Sequence, residues 1–412
     1  MAKKFTRTQW LVLLAAFLGW MFDGVEMGLI PIVGGPAVQD LLNVSDNNII
    51  GYWMGRYAAL FLIGAALGGL VFGWMGDKIG RVKSMAVSIT MYSVFTGCWY
   101  FASQPWHIGL FLFLGAIGMG GQWSLAVSLV MEVWPEKNRP ILAGIIGAAN
   151  NLGLVLIAVI GFIIPITVDS WRWTALCGLI PGILAIFVIF AVPESEKWKK
   201  SVVKVKPINP VREIFTPPIL KSTLIGIILA TTMMIGTWAA ATTFGPRWAN
   251  IVAGDGNPHA KAIFQMAMSG GAMIGCILSP LLARKVGRRW AYFICAVLAF
   301  LTSQILFRTF DTFNAGFIVM VAVMGVSVVS FYGLLPLYLP ELFPTRIRAS
   351  GTGVAFNSGR IFAAVGAITT GSLIGYFNGD YAKAVSAITL VYLVGMVVIW
   401  FAPETKGKPL PE

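Results

Sequence analysis

The sequence predicts an all-α membrane protein whose twelve transmembrane helices form two six-helix pseudo-repeats. Three observations predict it. Of 412 residues, 57% are hydrophobic and only 11% charged, whereas soluble domains carry roughly 25% charged residues. Apolar runs of ~17–25 residues, the length that spans a bilayer as a helix, recur twelve times. Loop motifs that follow the second and fourth runs return after the eighth and tenth. This composition excludes an ordinary soluble enzyme, a disordered tail and a nucleic-acid-binding domain.

The first six spans read as Trp10–Ile32, Ile49–Trp74, Met85–Phe101, Ile108–Met131, Ile141–Val168 and Trp173–Val192. The second six read as Leu220–Phe244, Ala262–Ala283, Trp290–Phe307, Ala315–Leu339, Ala349–Phe377 and Val385–Ala402. The longest polar stretch, PESEKWKKSVVKVKPINPVREIFTPP, separates them. It divides the chain into an N-terminal half (1–192), a linker (193–219) and a C-terminal half (220–412). MAKKFTRTQW lacks a cleavable signal pattern, so the first apolar run is expected to remain as a helix.

The net charge of +13 has a topological explanation. With the N-terminus inside, the inner segments hold 23 Lys and Arg against nine acids, and the outer loops five against six. This is the positive-inside bias of a plasma (inner) membrane protein with both termini cytoplasmic. It calls for no nucleic-acid or acidic partner, only the lipid bilayer. The four cysteines lie in apolar runs without metal-ligand spacing, and His107 and His259 read as surface residues, so no metal or organic cofactor is expected. No nucleophile–base set or nucleotide loop is visible, which argues against an enzyme.

GDKIGR (Gly76–Arg81) and ARKVGR (Ala283–Arg288) stand 207 residues apart, and EVWPEKNR (Glu132–Arg139) and ELFPTRIR (Glu341–Arg348) stand 209 apart. Two halves at a near-constant offset suit parallel repeats around a central site. FGWMGDKIGRVKSM (Phe72–Met85) resembles the loop signature of the major facilitator superfamily, with Arg284 replacing Asp77 in the degenerate second copy. PESEKW (Pro193–Trp198), PETKGKPLPE (Pro403–Glu412) and ELFPTRIRASGTG (Glu341–Gly353) resemble segments of sugar porters and their relatives. LGWMFDGVEMGLI (Leu18–Ile30) and GMGGQWSLAVSLVMEVWP (Gly118–Pro135) are similar to the first and fourth helices of organic-acid:proton symporters of the aromatic-acid, sialate and lactate type. Relatives there often carry Glu where this chain has Gln122.

Four ionisable residues fall inside spans: Asp23, Glu26, Arg56 and Arg360. Each is costly in hydrocarbon, about 2.5–3.5 kcal/mol at a helix centre, and so calls for a cavity or a partner. Counting from the span ends places Glu26 and Arg56 at similar depth on consecutive antiparallel helices, where an ion pair can form. The trio Asp23, Glu26 and Arg56 then reads either as a structural pair or as a proton site, with Asp23 the better carrier. Arg360 lies near the midplane, and its planar donor fork suits a carboxylate; the competing reading pairs it with Asp23. Asn357 shares its face, and Asn150, Asn151, Gln122, Trp238 and Tyr332 complete a candidate substrate set, with Tyr338 a further aromatic. Asp77 can cap a neighbouring helix. Arg81 can reach Glu132 and Arg288 can reach Glu341, and with Arg139 and Arg348 these form a candidate gate that locks the outward-facing state.

Taken together, these residues and the resemblance imply a secondary active transporter working by alternating access. It would carry a small organic anion with protons as the coupling ion, as a monomer. The alternatives are a sugar transporter of the sugar-porter type and an exporter of amphipathic compounds.

Overall fold

The computed structural model describes residues 5–44, 47–163, 166–204, 210–254, 260–378 and 380–411. Among the described residues there is no strand, and twelve membrane-length helical segments follow one another. They are α1 (Arg7–Leu42), α2 (Asn47–Ile79), α3 (Arg81–Gly97), α4 (Pro105–Val133), α5 (Arg139–Ile163) and α6 (Trp171–Ala191). After the linker come α7 (Pro217–Ala253), α8 (Ala260–Val286), α9 (Arg288–Thr309), α10 (Ala315–Leu342), α11 (Arg348–Tyr376) and α12 (Tyr381–Phe401). Ten of them are long and apolar enough on their own to cross a membrane. Of the other two, α3 has 17 residues and continues in a 3-10 turn, and α11 has its apolar run broken by Asn357 and Arg360.

Local chemistry sets the helix ends. Thr6 and Gln9 form a reciprocal capping box at the start of α1, with Gln9 N donating to Thr6 Oγ1 at 3.3 Å and Thr6 N to Gln9 Oε1 at 2.9 Å. The helix runs ten residues past the expected end at Ile32 and stops at Asn43, whose φ of 50° is left-handed. The extension survives because Asp40 accepts hydrogen bonds from Trp171 Nε1 at 3.0 Å and Arg172 Nη2 at 3.2 Å. The seventh span differs more. Between Pro217–Met234 and Thr243–Ala253 the chain forms a π-helical segment, Ile235–Thr242, a geometry concentrated at functional sites.

Small residues bring the helices together. A Cβ at Gly120 of α4 would stand 1.9 Å from the carbonyl oxygen of Ala65 in α2, so only glycine permits that approach. Between the halves, α2 packs on α11, and α5 packs on α8 and α10. Ile183, Ile186, Ile189 and Phe190 of α6 are exposed, an apolar stripe facing lipid. In the linker, Glu196–Lys204 and Pro210–Glu213 are helical.

Candidate functional site

The π-helical segment aims Thr237, Trp238 and Thr242 into a cleft between the halves. Asn150, Asn151 and Leu154 of α5 line it on one side, Gln265, Met268, Ser269 and Ala272 of α8 on another, and Val329 and Tyr332 of α10 below. The cleft encloses about 30 Å³, well short of the ~300–1,000 Å³ of open small-molecule sites. Gln265 lies five residues into α8, so the cleft sits toward the face opposite the basic loops. At its floor Trp238 Nε1 donates to Tyr332 Oη at 2.5 Å. Tyr332 meets Phe356 edge-on at 6.0 Å, and Phe356 stacks on Trp123 at 3.7 Å. This aromatic column joins α10, α11 and α4 across the halves.

Arg360 lies beneath that floor, twelve residues or about 18 Å into α11. Its guanidinium is 5.8 Å from the Phe356 ring centre, and its Nη1 donates to Asn357 Oδ1 at 2.9 Å. Asn357 Nδ2 donates to Gly120 O of α4 and Gly353 O, both at 3.0 Å. Asn357 therefore does not open to the cleft; it fixes Arg360 and ties α11 to α4. Asp23 of α1 is fully buried and close enough to interact electrostatically with Arg360 and Tyr332. Among the described residues neither of its carboxylate oxygens has a hydrogen-bond donor.

Three expectations are corrected. The Glu26–Arg56 ion pair does not form among the described residues: Glu26 is buried beside Thr96 of α3, whereas Arg56 is exposed and lies over the Trp53 ring at 5.2 Å. The depth match assumed that α1 ends at Ile32; its extension to Leu42 puts Glu26 about 24 Å from that end, while Arg56 is about 14 Å from the start of α2. Gln122 is not a cleft residue. It packs against Gly19 of α1, where a Cβ would stand 1.9 Å from Nε2, and Ser88 Oγ approaches its Oε1 at 3.5 Å. Tyr338 donates to Pro403 O at 2.6 Å on the basic face, away from the cleft. Asn150, Asn151, Trp238 and Tyr332 do line it. Gln265 and Ser269 were missed, although their i, i+4 spacing on one helix face was readable. His107 contacts Ser103, and His259 lies outside the described residues.

The basic face is closed by a buried polar network. Asp77 at the end of α2 accepts hydrogen bonds from the first backbone N–H groups of α11, Ala349 N at 3.1 Å and Ser350 N at 2.8 Å, and lies 3.0 Å from Arg81 Nη1. A helix N-terminus attracts an anion through its unpaired N–H groups and its dipole. Arg81 donates to Glu132 at 3.1 Å and to Thr345 O at 2.8 Å. Glu132 also receives Arg348 Nη1 at 3.2 Å. Arg288 and Glu341 pair at 2.8 and 3.0 Å. The two expected pairs thus form, but each lies within one half and cannot by itself lock the halves. The bridging is done by Asp77 to α11, Arg81 to Thr345, and Glu132 to Arg348. Arg139 Nε and Nη1 have no hydrogen-bond partner among the described residues.

The PES and PET segments find a structural explanation. Gly80 and Gly287, at φ 112° and 96°, leave room for a carboxylate over the next helix start. Glu194 accepts from Val82 N at 3.0 Å, and Glu404 from Arg288 N at 3.0 Å and Arg289 N at 3.2 Å. Burial holds the Glu194 carboxyl above the usual glutamate range, with the N–H groups of Ser195 and Val82 only partly opposing it. Burial also acts on Glu404, but the N–H groups of Arg288, Lys406 and Arg289 outweigh it and hold that carboxyl below the usual range.

A twelve-helix bundle with a polar cleft between its halves and one face closed by a buried network defines a membrane transporter. The chain belongs to the Major Facilitator Superfamily, whose family model matches residues 10–367. It is similar to the inner membrane metabolite transport protein YgcS of Escherichia coli (28% identity, 94% of this chain and 90% of that protein). It is also similar to the sialic acid transporter NanX of Escherichia coli (25%; 96% and 94%) and the cis,cis-muconate transport protein of Acinetobacter baylyi (26%; 96% and 95%). Among solved structures, the proton:xylose symporter XylE bound to 6-bromo-6-deoxy-D-glucose superposes with a TM-score of 0.78 at 18% identity, covering 98% of each chain. That likeness concerns the fold.

Proposed function

We propose that the protein carries a small organic anion, a carboxylate, together with protons by alternating access. The observation that carries this reading is Arg360, a guanidinium buried between the halves, aimed by Asn357 and accompanied by the undonated carboxylate of Asp23. A fixed cation buried between the halves beneath the cleft favours an anionic ligand. The relatives whose names specify sialic acid and muconate support the class. In this reading Asp23, whose carboxylate oxygens have no donor among the described residues, carries the proton. Substrate bound on Arg360 and proton bound on Asp23 together neutralise the site, and a neutral site crosses between faces at lower cost than a charged one. Glu26 extends this acidic site toward α3; Arg56 has no part in it.

The basic face is cytoplasmic by the positive-inside rule, both termini lie on that side of the inner membrane, and the closed gate leaves the cleft on the outer side. One chain encloses the pathway, so the monomer suffices. The sugar-porter segments are explained by helix capping through Glu194 and Glu404 and carry no information about substrate. The test is uptake of labelled carboxylates and sugars into proteoliposomes with and without an inward proton gradient, beside Arg360→Ala. Gradient-dependent acid uptake that Arg360→Ala abolishes is expected. Sugar uptake that survives the substitution would contradict the reading.

A further inference from the structure

The outer ends of the two halves close differently. In the first half, Arg172 ties the corner between α1, α3 and α6. Its Nη2 donates to Asp40 at 3.2 Å, and its Nη1 to the carbonyls of Tyr100 and Ala102 at 2.9 and 2.6 Å. Trp171 Nε1 also donates to Asp40, at 3.0 Å. At the 209-residue offset of the repeat, Asp40 and Arg172 become Ala249 and Tyr381. The tie is lost, and the matching corner between α7, α9 and α12 is a cavity of about 450 Å³, the size of a ligand site. Trp248, Phe307 and Phe310 give it an aromatic lining, with the Trp248 and Phe307 rings 4.8 Å apart. Arg308 and Asp311 also line it, and both are exposed. Among the described residues neither makes a hydrogen bond or an ion pair, whereas the neighbouring Lys383 and Asp380 of the α12 start pair with each other at 3.1 Å.

A ligand that suits this corner carries an anion for Arg308, a cation for Asp311 and apolar surface for the aromatic lining. The planar guanidinium fork matches a phosphate, and the carboxylate matches an ammonium group. The depth of the corner decides the source. Helix α9 starts at the basic face and has 22 residues, about 33 Å, close to the ~30 Å of bilayer hydrocarbon. Arg308, at its far end, therefore stands at the level of the outer headgroups. Leu298, Leu301 and Ile305 are exposed and precede Arg308 at i, i+3 and i+4 spacing, so an apolar stripe leads from the corner into the hydrocarbon. A soluble zwitterion has no use for that stripe; an acyl chain lies along it. We propose that the corner holds one aminophospholipid of the outer leaflet, with its phosphate on Arg308, its ammonium group at Asp311 and an acyl chain along α9. The lipid ties α7 to α9 and α12, as Arg172 and Asp40 tie the corresponding helices of the first half. The proposal is independent of the transported substrate.

The test is native mass spectrometry of the purified full-length protein titrated with dioleoyl phosphatidylethanolamine or dioleoyl phosphatidylglycerol, which share the phosphate and the chains but not the ammonium group. One phosphatidylethanolamine is expected to bind at least tenfold more tightly than phosphatidylglycerol. Asp311→Asn is expected to bring the two lipids within twofold of each other, and Arg308→Ala to weaken phosphatidylethanolamine at least tenfold. Arg284→Ala, an exposed arginine on the opposite face, should leave it within twofold. Both corner substitutions are at exposed positions, which tolerate change, and unchanged melting temperatures in detergent check that the variants fold. Equal binding of the two lipids by the wild type, or a preference that survives both substitutions, overturns the proposal and leaves only bulk lipid at this corner. Glycerophosphoethanolamine, the headgroup without chains, should not compete; displacement of the lipid by an equimolar amount of it would overturn the lipid assignment in favour of a soluble zwitterion.

Discussion

The two halves meet the basic face with the same motif and opposite chemistry. In the first half, the motif's acid, Asp77, is buried and holds two backbone N–H groups at the start of α11. In the second half the equivalent position is Arg284, exposed in the last turn of α8. A cation there suits the C-terminus of its own helix but cannot cap the start of α5. The arginines at those helix starts differ accordingly. Arg348 at α11 is bonded to Glu132, Pro340 O and Pro411 O, while Arg139 at α5 keeps two nitrogens without partners among the described residues. The repeat is therefore symmetric in backbone and asymmetric in energetics. One seam between the halves is bolted by carboxylates, and the other rests on packing.

The comparison can be broken most severely at Glu132, the one acid among the described residues that pairs with both Arg81 and Arg348. Removing one partner of a buried ion pair costs about 3–5 kcal/mol. Glu132→Ala is expected to abolish uptake and lower the melting temperature more than any other gate variant. Asp77→Ala comes next. Its loss frees the α11 start while leaving the Arg81–Glu132 pair in place, and at least a tenfold loss of transport is expected. A single cysteine placed at Gly73, behind the bolt, should become open to a cytoplasmic thiol reagent. Building the missing bolt sharpens the comparison. Arg284→Asp is expected to slow turnover several-fold by adding a second bridge toward Arg139, and Arg284→Ala is expected to change transport less than twofold, since exposed positions tolerate substitution.

The smallest effect separates the two capping carboxylates by pH. A carboxyl whose pKa is higher in the folded protein takes up protons on folding, so its contribution to stability falls as pH rises from the unfolded value toward the folded one. Glu194 is of this kind. A carboxyl whose folded pKa is depressed contributes above the unfolded value and loses that contribution as pH falls through the folded one, and Glu404 is of that kind. Acidification from pH 7 toward the ordinary glutamate value of 4.5 should therefore raise the melting temperature of the wild type relative to Glu194→Gln. The Glu404→Gln comparison should show no such rise, and its wild-type advantage should shrink only at lower pH. Parallel curves for the two variants would remove this distinction.

Composition and charge made the twelve spans and their common polarity legible, because lipid imposes one length and one solvent on every helix. The ends were not legible. Nothing in VGGPAVQDLL shows that Asp40 finds Trp171 and Arg172, the contact that carries α1 ten residues further and separates Glu26 from Arg56. Arg360 and Asp23 were legible as expensive residues in hydrocarbon, but their shared neighbourhood arises from α1 and α11 each packing against α4. The π-helical segment at Ile235–Thr242 left no mark in the hydropathy, and it decides which threonines of α7 reach the cleft. Glu132 was readable as a partner of Arg81. Its second partner, Arg348, lies 216 residues away and depends on how the halves dock.

The central claim is that Asp23 carries the proton and Arg360 the anion. It is tested most directly by comparing gradient-driven accumulation with counterflow exchange in proteoliposomes for Asp23→Asn. With the carrier fixed in a neutral form, exchange of labelled for unlabelled acid should persist, and accumulation driven by an inward proton gradient should vanish. Accumulation in Asp23→Asn that still follows the gradient at the wild-type level would contradict the account.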